Sequence, residues 1–185
     1  MLLPDLTEAA AAALLRYACD VASAAVRGAP PPAPPADPEL LEPRGVFVSL
    51  HARGRLRGCL GHIEADLPLT AATAMMAEAV TAEDPRFAPV RADELDGMEV
   101  EVSVLSPLRA IAPDEVEPGR DGLMIRRGRY AGLLLPQVAT EYHMDRLAFL
   151  EALCQKALLP AGAWRDPASE LRGFTAQRVS ARMRA

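Results

Sequence analysis

Apolar positions recur along this chain with a helical period at first and then with a period of two. Leu6, Leu14, Tyr17, Val21 and Ala25 share one helical stripe, and Gly28 follows where a helix would stop. Asp5 and Glu8, three residues apart, have the spacing of a capping box. From Gly45 the pattern becomes that of a strand: Val46, Val48 and Leu50 alternate with Phe47, Ser49 and His51. Ala52 to Arg55 reads as a hairpin loop, and Leu56 to His62 as the returning strand, interrupted by Gly58 and Gly61. Leu69, Thr73, Met76 and Val80 predict a second helix that must stop by Pro85. Met98, Val100, Val102 and Val104 alternate with Glu99, Glu101 and Ser103, the pattern of a half-buried antiparallel strand.

Farther along, Leu123–Ile125 and Tyr130–Leu135 flank the turn Arg127-Gly128-Arg129, a second hairpin closed by Pro136. Leu147, Leu150, Cys154 and Leu158 mark a third helix behind an Asp145 cap, and Leu171 to Val179 is read as a last strand. Between the first helix and the first strand, six prolines in ten residues (29–38) remove backbone donors and fix φ, which predicts a stiff extended connector. The expected organisation is a helix over 1–28, a Pro-rich connector over 29–44, the rest of a single two-lobed domain over 45–179, and a tail over 180–185. Because neighbouring strands join through short turns and helices are interspersed, the expected class is α+β, with antiparallel sheets flanked by helices.

Composition narrows the function classes. With 185 residues the chain can bury roughly 70% of its unfolded surface, enough for a full core without staples. The formal net charge of −5 repels a phosphate backbone, so duplex nucleic acid is a disfavoured partner. Cys19, Cys59 and Cys154 are odd in number and far apart, unlike a secreted disulfide framework. The first residues lack the basic flank of a signal peptide, and no stretch reads as a membrane span, so a cytoplasmic location and no membrane partner are expected. Phosphate-loop, dinucleotide and serine-hydrolase motifs are absent from the sequence.

The chemistry worth testing gathers at Arg57-Gly58-Cys59-Leu60-Gly61-His62. On strand parity Arg55, Arg57 and Cys59 share one face, and guanidinium groups beside a thiol favour its anion. Cys59 is thus a candidate nucleophile or redox thiol; the competing expectation is a small packing residue, the commonest fate of a free cysteine. Gly58 and Gly61 either free backbone N–H groups for a ligand or let a helix pack closely. Cys59 and His62, spaced C-x-x-H with Glu64 following, suggest a metal, with His51 and His143 as further possible ligands, but no second close pair exists for a closed site and no metal is expected. Asp84-Pro85-Arg86-Phe87 reads first as an ordinary helix stop and loop; the alternative is that Arg86 points back toward the cysteine turn. Cys19 and Cys154 lie on apolar stripes and are expected to pack.

Taken together, Leu56-Arg57-Gly58-Cys59-Leu60-Gly61, Ala82-Glu83-Asp84-Pro85-Arg86-Phe87, Val102-Ser103-Val104-Leu105-Ser106, Gly122-Leu123 and Leu134-Leu135-Pro136-Gln137-Val138-Ala139 resemble the AMMECR family, in order and over most of the chain. The resemblance implies a two-lobed α+β domain with the cysteine turn lining a groove between the lobes, and an activity not established for the family. It also implies a shared pathway with Memo-like and radical S-adenosylmethionine proteins, and a nucleotide- or RNA-related role. Departures are His62, where the family usually has a small hydroxyl residue, Lys156-Ala157-Leu158-Leu159, where it has Lys-Ala-Gly-Leu, and Val179, where it has phenylalanine.

Two functions are therefore expected to compete. In one, an enzyme uses Cys59 as its catalytic thiol, with Arg57 and Arg86 holding an anionic small molecule or nucleotide-related substrate, in a groove lined by Gly58, Gly61, His62, Asp84 and Gln137. In the other, the same groove is a non-catalytic binding or adaptor module for a small anionic molecule or a partner protein. No cofactor is specified by either.

Overall fold

The structure, a computed structural model, describes residues 5–183. In chain order the elements are α1 (Glu8–Arg27), β1 (Val46–Ala52), β2 (Arg55–His62), α2 (Leu69–Ala79), β3 (Glu99–Leu105), β4 (Arg109–Ala110), β5 (Gly122–Arg127), β6 (Tyr130–Leu134), α3 (Pro136–Glu141), α4 (Arg146–Lys156), β7 (Glu170–Phe174) and β8 (Ala176–Arg182). They form two four-stranded sheets and so the expected α+β class. The chain divides into two units, one holding residues up to Leu105 and those from Gln177 onward, the other Ser106–Ala176.

In the first unit the strand order is β2-β1-β3-β8. Val46, Val48 and Leu50 of β1 and Val100, Val102 and Val104 of β3 lie directly opposite one another in antiparallel register. All six are buried in one cluster with Leu14, Ala18 and Val21 of α1 and Ala72 of α2. The period-two stripe therefore meets two helical stripes, which is why these elements form where the spacing predicted them. Gly28 ends α1 in the left-handed region (φ 63°), as expected. Its N-cap differs: Thr7, not the Asp5–Glu8 pair, accepts a hydrogen bond from the Ala10 N–H, while its own hydroxyl donates to Glu39. Glu39 belongs to a 3-10 turn, Pro38–Leu41, inside the proline-rich connector. That turn buries Leu40 completely, so the connector docks on the core as well as spanning a gap.

One expectation about membranes needs correction. With 20 residues and a mean hydropathy of 1.4, α1 is long and apolar enough to cross a bilayer. Its alanine-rich surface raises that value, while the Leu14–Val21 stripe is buried in the core.

In the second unit the order is β4-β7-β5-β6. Leu123 and Ile125 of β5 pack with Phe149, Leu150, Leu153 and Cys154 of α4, whose N-cap is Asp145 as predicted. α4 approaches β6 so closely that a Cβ on Gly132 would meet the Ala157 backbone nitrogen at 2.7 Å. The single last strand expected over 171–179 is two. β7 pairs with β5 in the second sheet. β8 joins the first, running on to Arg182 with the Met183 N–H bonded to the Met98 carbonyl. Val-poor, arginine-containing sequence on both sides of Thr175 gave no periodicity to mark the change. The short β4 and α3 also lacked a signal, being two and six residues long.

Candidate functional site

β2 does not keep a simple alternation. Leu50 of β1 faces Gly58, but the next residue, His51, faces Leu56, so Arg57 is an extra residue in a bulge. The bulge separates the two halves of the motif. Before it, Arg57 swings to the side. Its Nε and Nη2 donate to both carboxylate oxygens of Glu94 at 2.9 and 3.1 Å, and its Nη1 and Nη2 donate to the carbonyls of Ala88 and Pro89. Arg57 thus ties the segment 88–94 to β2. Glu94, held beside this guanidinium, titrates below the usual range of a glutamate.

Beyond the bulge, Gly58 and Leu60 turn toward the helices and Cys59 turns away. A Cβ on Gly58 would lie 2.9 Å from the Val80 carbonyl oxygen, where α2 ends. A Cβ on Gly61 would collide at 2.3 Å with the ring of Phe47, its direct partner on β1. Close packing therefore accounts for both glycines.

Cys59 stands opposite Ser49, and Ser49 stands opposite Glu101, so thiol, hydroxyl and carboxylate form one row across β2, β1 and β3. Arg178 of β8 extends the row through an ion pair with Glu101 at 2.5 Å. Ser49, Glu101 and Ser103 are buried, so the face of β3 that alternation marks as polar is withdrawn from solvent. Behind Cys59 lies a clamp. The Cys59 N–H donates to Asp84 Oδ2 at 2.9 Å, and Arg86 Nη2 donates to the Cys59 carbonyl at 3.2 Å. The buried Asp84 carboxylate also accepts from the Arg86 N–H, Nε and Nη2. Arg86 at this short range, helped by the Cys59 N–H, holds Asp84 far below the ordinary aspartate range. Of the two readings of this segment, the structure shows the one in which Arg86 reaches back to the cysteine turn.

The electrostatics of the thiol differ from those expected of sulfur among free cations. Burial pushes the Cys59 thiol up. The Ser49 hydroxyl and the Arg86 charge oppose that shift, and the carboxylates of Asp84 and Glu101 reinforce it. Burial is the main reason, and the one cation that acts on the sulfur, Arg86, is itself paired with Asp84, while Arg57 faces Glu94 and Arg178 faces Glu101.

The remaining candidates take no part in the hydrogen bonds of this clamp. His62, at the end of β2, bonds through Nε2 to Asp66 Oδ1 at 2.6 Å. Gln137 lies in the second unit in the first turn of α3, its Oε1 buried without a hydrogen-bond partner. Cys154 is fully buried in the second core, and Cys19 packs against the first, where burial pushes its thiol up to about 11. Ser49, Glu101 and Arg178 were missed at the sequence level. The two strand patterns put Ser49 and Glu101 on the faces opposite the valines, but only register puts them in one row with Cys59.

Residues 15–179 match the AMMECR1 family pattern. A protein of Thermococcus gammatolerans is 45% identical over 157 residues, 78% of this chain and 77% of its own length. One from Methanothermobacter thermautotrophicus is 45% identical over 141 residues, 72% of this chain and 73% of its own. The crystal structure of an uncharacterized protein from Pyrococcus horikoshii superposes with a TM-score of 0.86 at 38% identity, covering 92% of this chain and 90% of that one. With the family pattern, the relatives and the superposed structure in agreement, this chain belongs to the AMMECR1 family.

Proposed function

We propose that the surface around Cys59 and Arg86 is a ligand-binding site in which the cysteine stays a neutral thiol. One observation carries this reading: Arg86, the guanidinium whose charge reaches the sulfur, is committed to Asp84, and the buried thiol is pushed up instead of down. Arg86 is the group that meets the ligand. Asp84 fixes it through Nε and Nη2, its side chain remains about half exposed, and Nη1 takes part in none of these bonds. A guanidinium held this way is pre-organised to donate to a carboxylate, phosphate or carbonyl of a small molecule or partner protein. In the pathway that the family resemblance implies, a Memo-like or radical S-adenosylmethionine protein, or a nucleotide-related metabolite, would supply that group.

The row Cys59–Ser49–Glu101 favours a second reading, a thiol enzyme. There Ser49 would pass the thiol proton toward Glu101 only once substrate had displaced water.

Alkylation separates the two. Peptide-resolved labelling of Cys59 with iodoacetamide across pH is expected to give an apparent pKa above the free-thiol value of about 8.5. A value below it would defeat the binding reading and restore the nucleophile. Arg86→Ala is expected to move that pKa further up, since the opposing charge is lost. Arg57→Ala is expected to leave it in place while speeding amide exchange in 88–94, because Arg57 is committed to Glu94 and two loop carbonyls.

A further inference from the structure

We infer that the tip of the β5–β6 hairpin in the second unit is a docking site for a short acidic and apolar segment of a partner protein. Arg127 and Tyr130 are a cross-strand pair in register with Ile125–Gly132 and Leu123–Leu134, so all three pairs share the sheet face on which α4 packs. α4 ends at Lys156, over Gly132, and the last pair projects beyond the helix. Leu158, Leu159 and Pro160 rim the open end, and with Arg127, Gly128, Arg129 and Tyr130 they line an open depression of about 470 Å³. That is room for one or two large apolar side chains of a partner.

Two observations point to an occupant. Leu158 is 81% exposed, and it is held in the left-handed region at φ 56°, a conformation that favours glycine. A leucine there is both strained and wet, and a partner that covers it removes the cost of exposure. The charge beside it is unbalanced. Arg126 pairs with Glu170 and Arg127 with Asp166, whereas Arg129 lies against the Tyr130 ring and bonds its hydroxyl, with no carboxylate partner among the described residues. An apolar side chain over Leu158 and a carboxylate on Arg129 would satisfy both. Single-stranded nucleic acid fits less well, because the ring at this rim, Tyr130, is already faced by Arg129 and the rest of the rim is aliphatic.

The test uses the full chain and fluorescein-labelled eight-residue peptides of alternating Glu and Leu, with the Lys–Leu analogue, poly-uridine and phosphatidylserine vesicles as rivals. The Glu–Leu peptide is expected to bind in a salt-dependent way, and Arg129→Glu to weaken it at least tenfold. Leu158→Gly is the variant that separates binding from folding: it relieves the left-handed backbone, so it is expected to leave thermal stability equal or higher while lowering affinity at least fivefold. Binding of the Glu–Leu peptide that neither substitution alters would overturn the assignment, as would preference for the Lys–Leu peptide, poly-uridine or vesicles, or no binding of the Glu–Leu peptide at millimolar concentration.

Discussion

Asp84→Ala is expected to destabilise the first unit by about 3 kcal/mol at neutral pH, the cost of breaking a buried charged pair whose partner can still reach water. Asp84 is 3% exposed and accepts four hydrogen bonds, one from the Cys59 N–H and three from Arg86. Alanine leaves the Cys59 amide without its acceptor and Arg86 without its anchor. The same variant has a pH signature. Because the folded-state titration of Asp84 is depressed, its contribution is complete above the ordinary aspartate value of about 4 and fades as pH falls through the lower folded value. Urea unfolding at pH 7 and pH 3 should therefore show the gap between the native chain and Asp84→Ala narrowing in acid. An equal gap at both pH values would mean that the carboxylate charge is not what stabilises the turn.

Gly58→Val should cost about as much, roughly 3 kcal/mol, and Gly61→Val less, about 1 to 2 kcal/mol, although Gly61 has the shorter nominal clash. The order follows from what each new side chain strikes. At Gly58 the obstacle is the Val80 carbonyl oxygen at 2.9 Å, fixed where α2 ends, so strand or helix must move. At Gly61 it is the Phe47 ring at 2.3 Å, and a half-buried ring can rotate aside at the price of lost contact. Amide exchange of β1–β3 amides reads both costs. Equal costs, or a larger one at Gly61, would show that the α2 terminus is softer than the aromatic contact. Neither substitution is expected to lower the Cys59 alkylation pKa, since both glycines serve packing.

How much of this was legible beforehand differs by element. α1, β1, β3 and α4 were readable because each buries one face, and burial of one face writes a period into the sequence. α3, β4 and the change of sheet at Thr175 were not, because short elements held by pairing with distant strands leave no period of their own. The α1 cap was misread for a related reason: Thr7 is preferred over Asp5 and Glu8 because Glu39, 32 residues away, holds its hydroxyl and N–H.

The candidate site divides along the same line. The sequence by itself determined that Cys59 lies on a glycine-flanked strand and that Asp84-Pro85-Arg86-Phe87 follows the next helix, and those motifs identify the family. Tertiary structure decided which charges reach the sulfur. A bulge at Arg57 sends one guanidinium to Glu94, and strand register sets Ser49 and Glu101 in a row with Cys59. The Asp84 clamp neutralises the other guanidinium. Parity along one strand is a local property that residue order fixes, whereas the titration of a buried thiol depends on charges brought together from separate strands and loops, and only folding sets those distances.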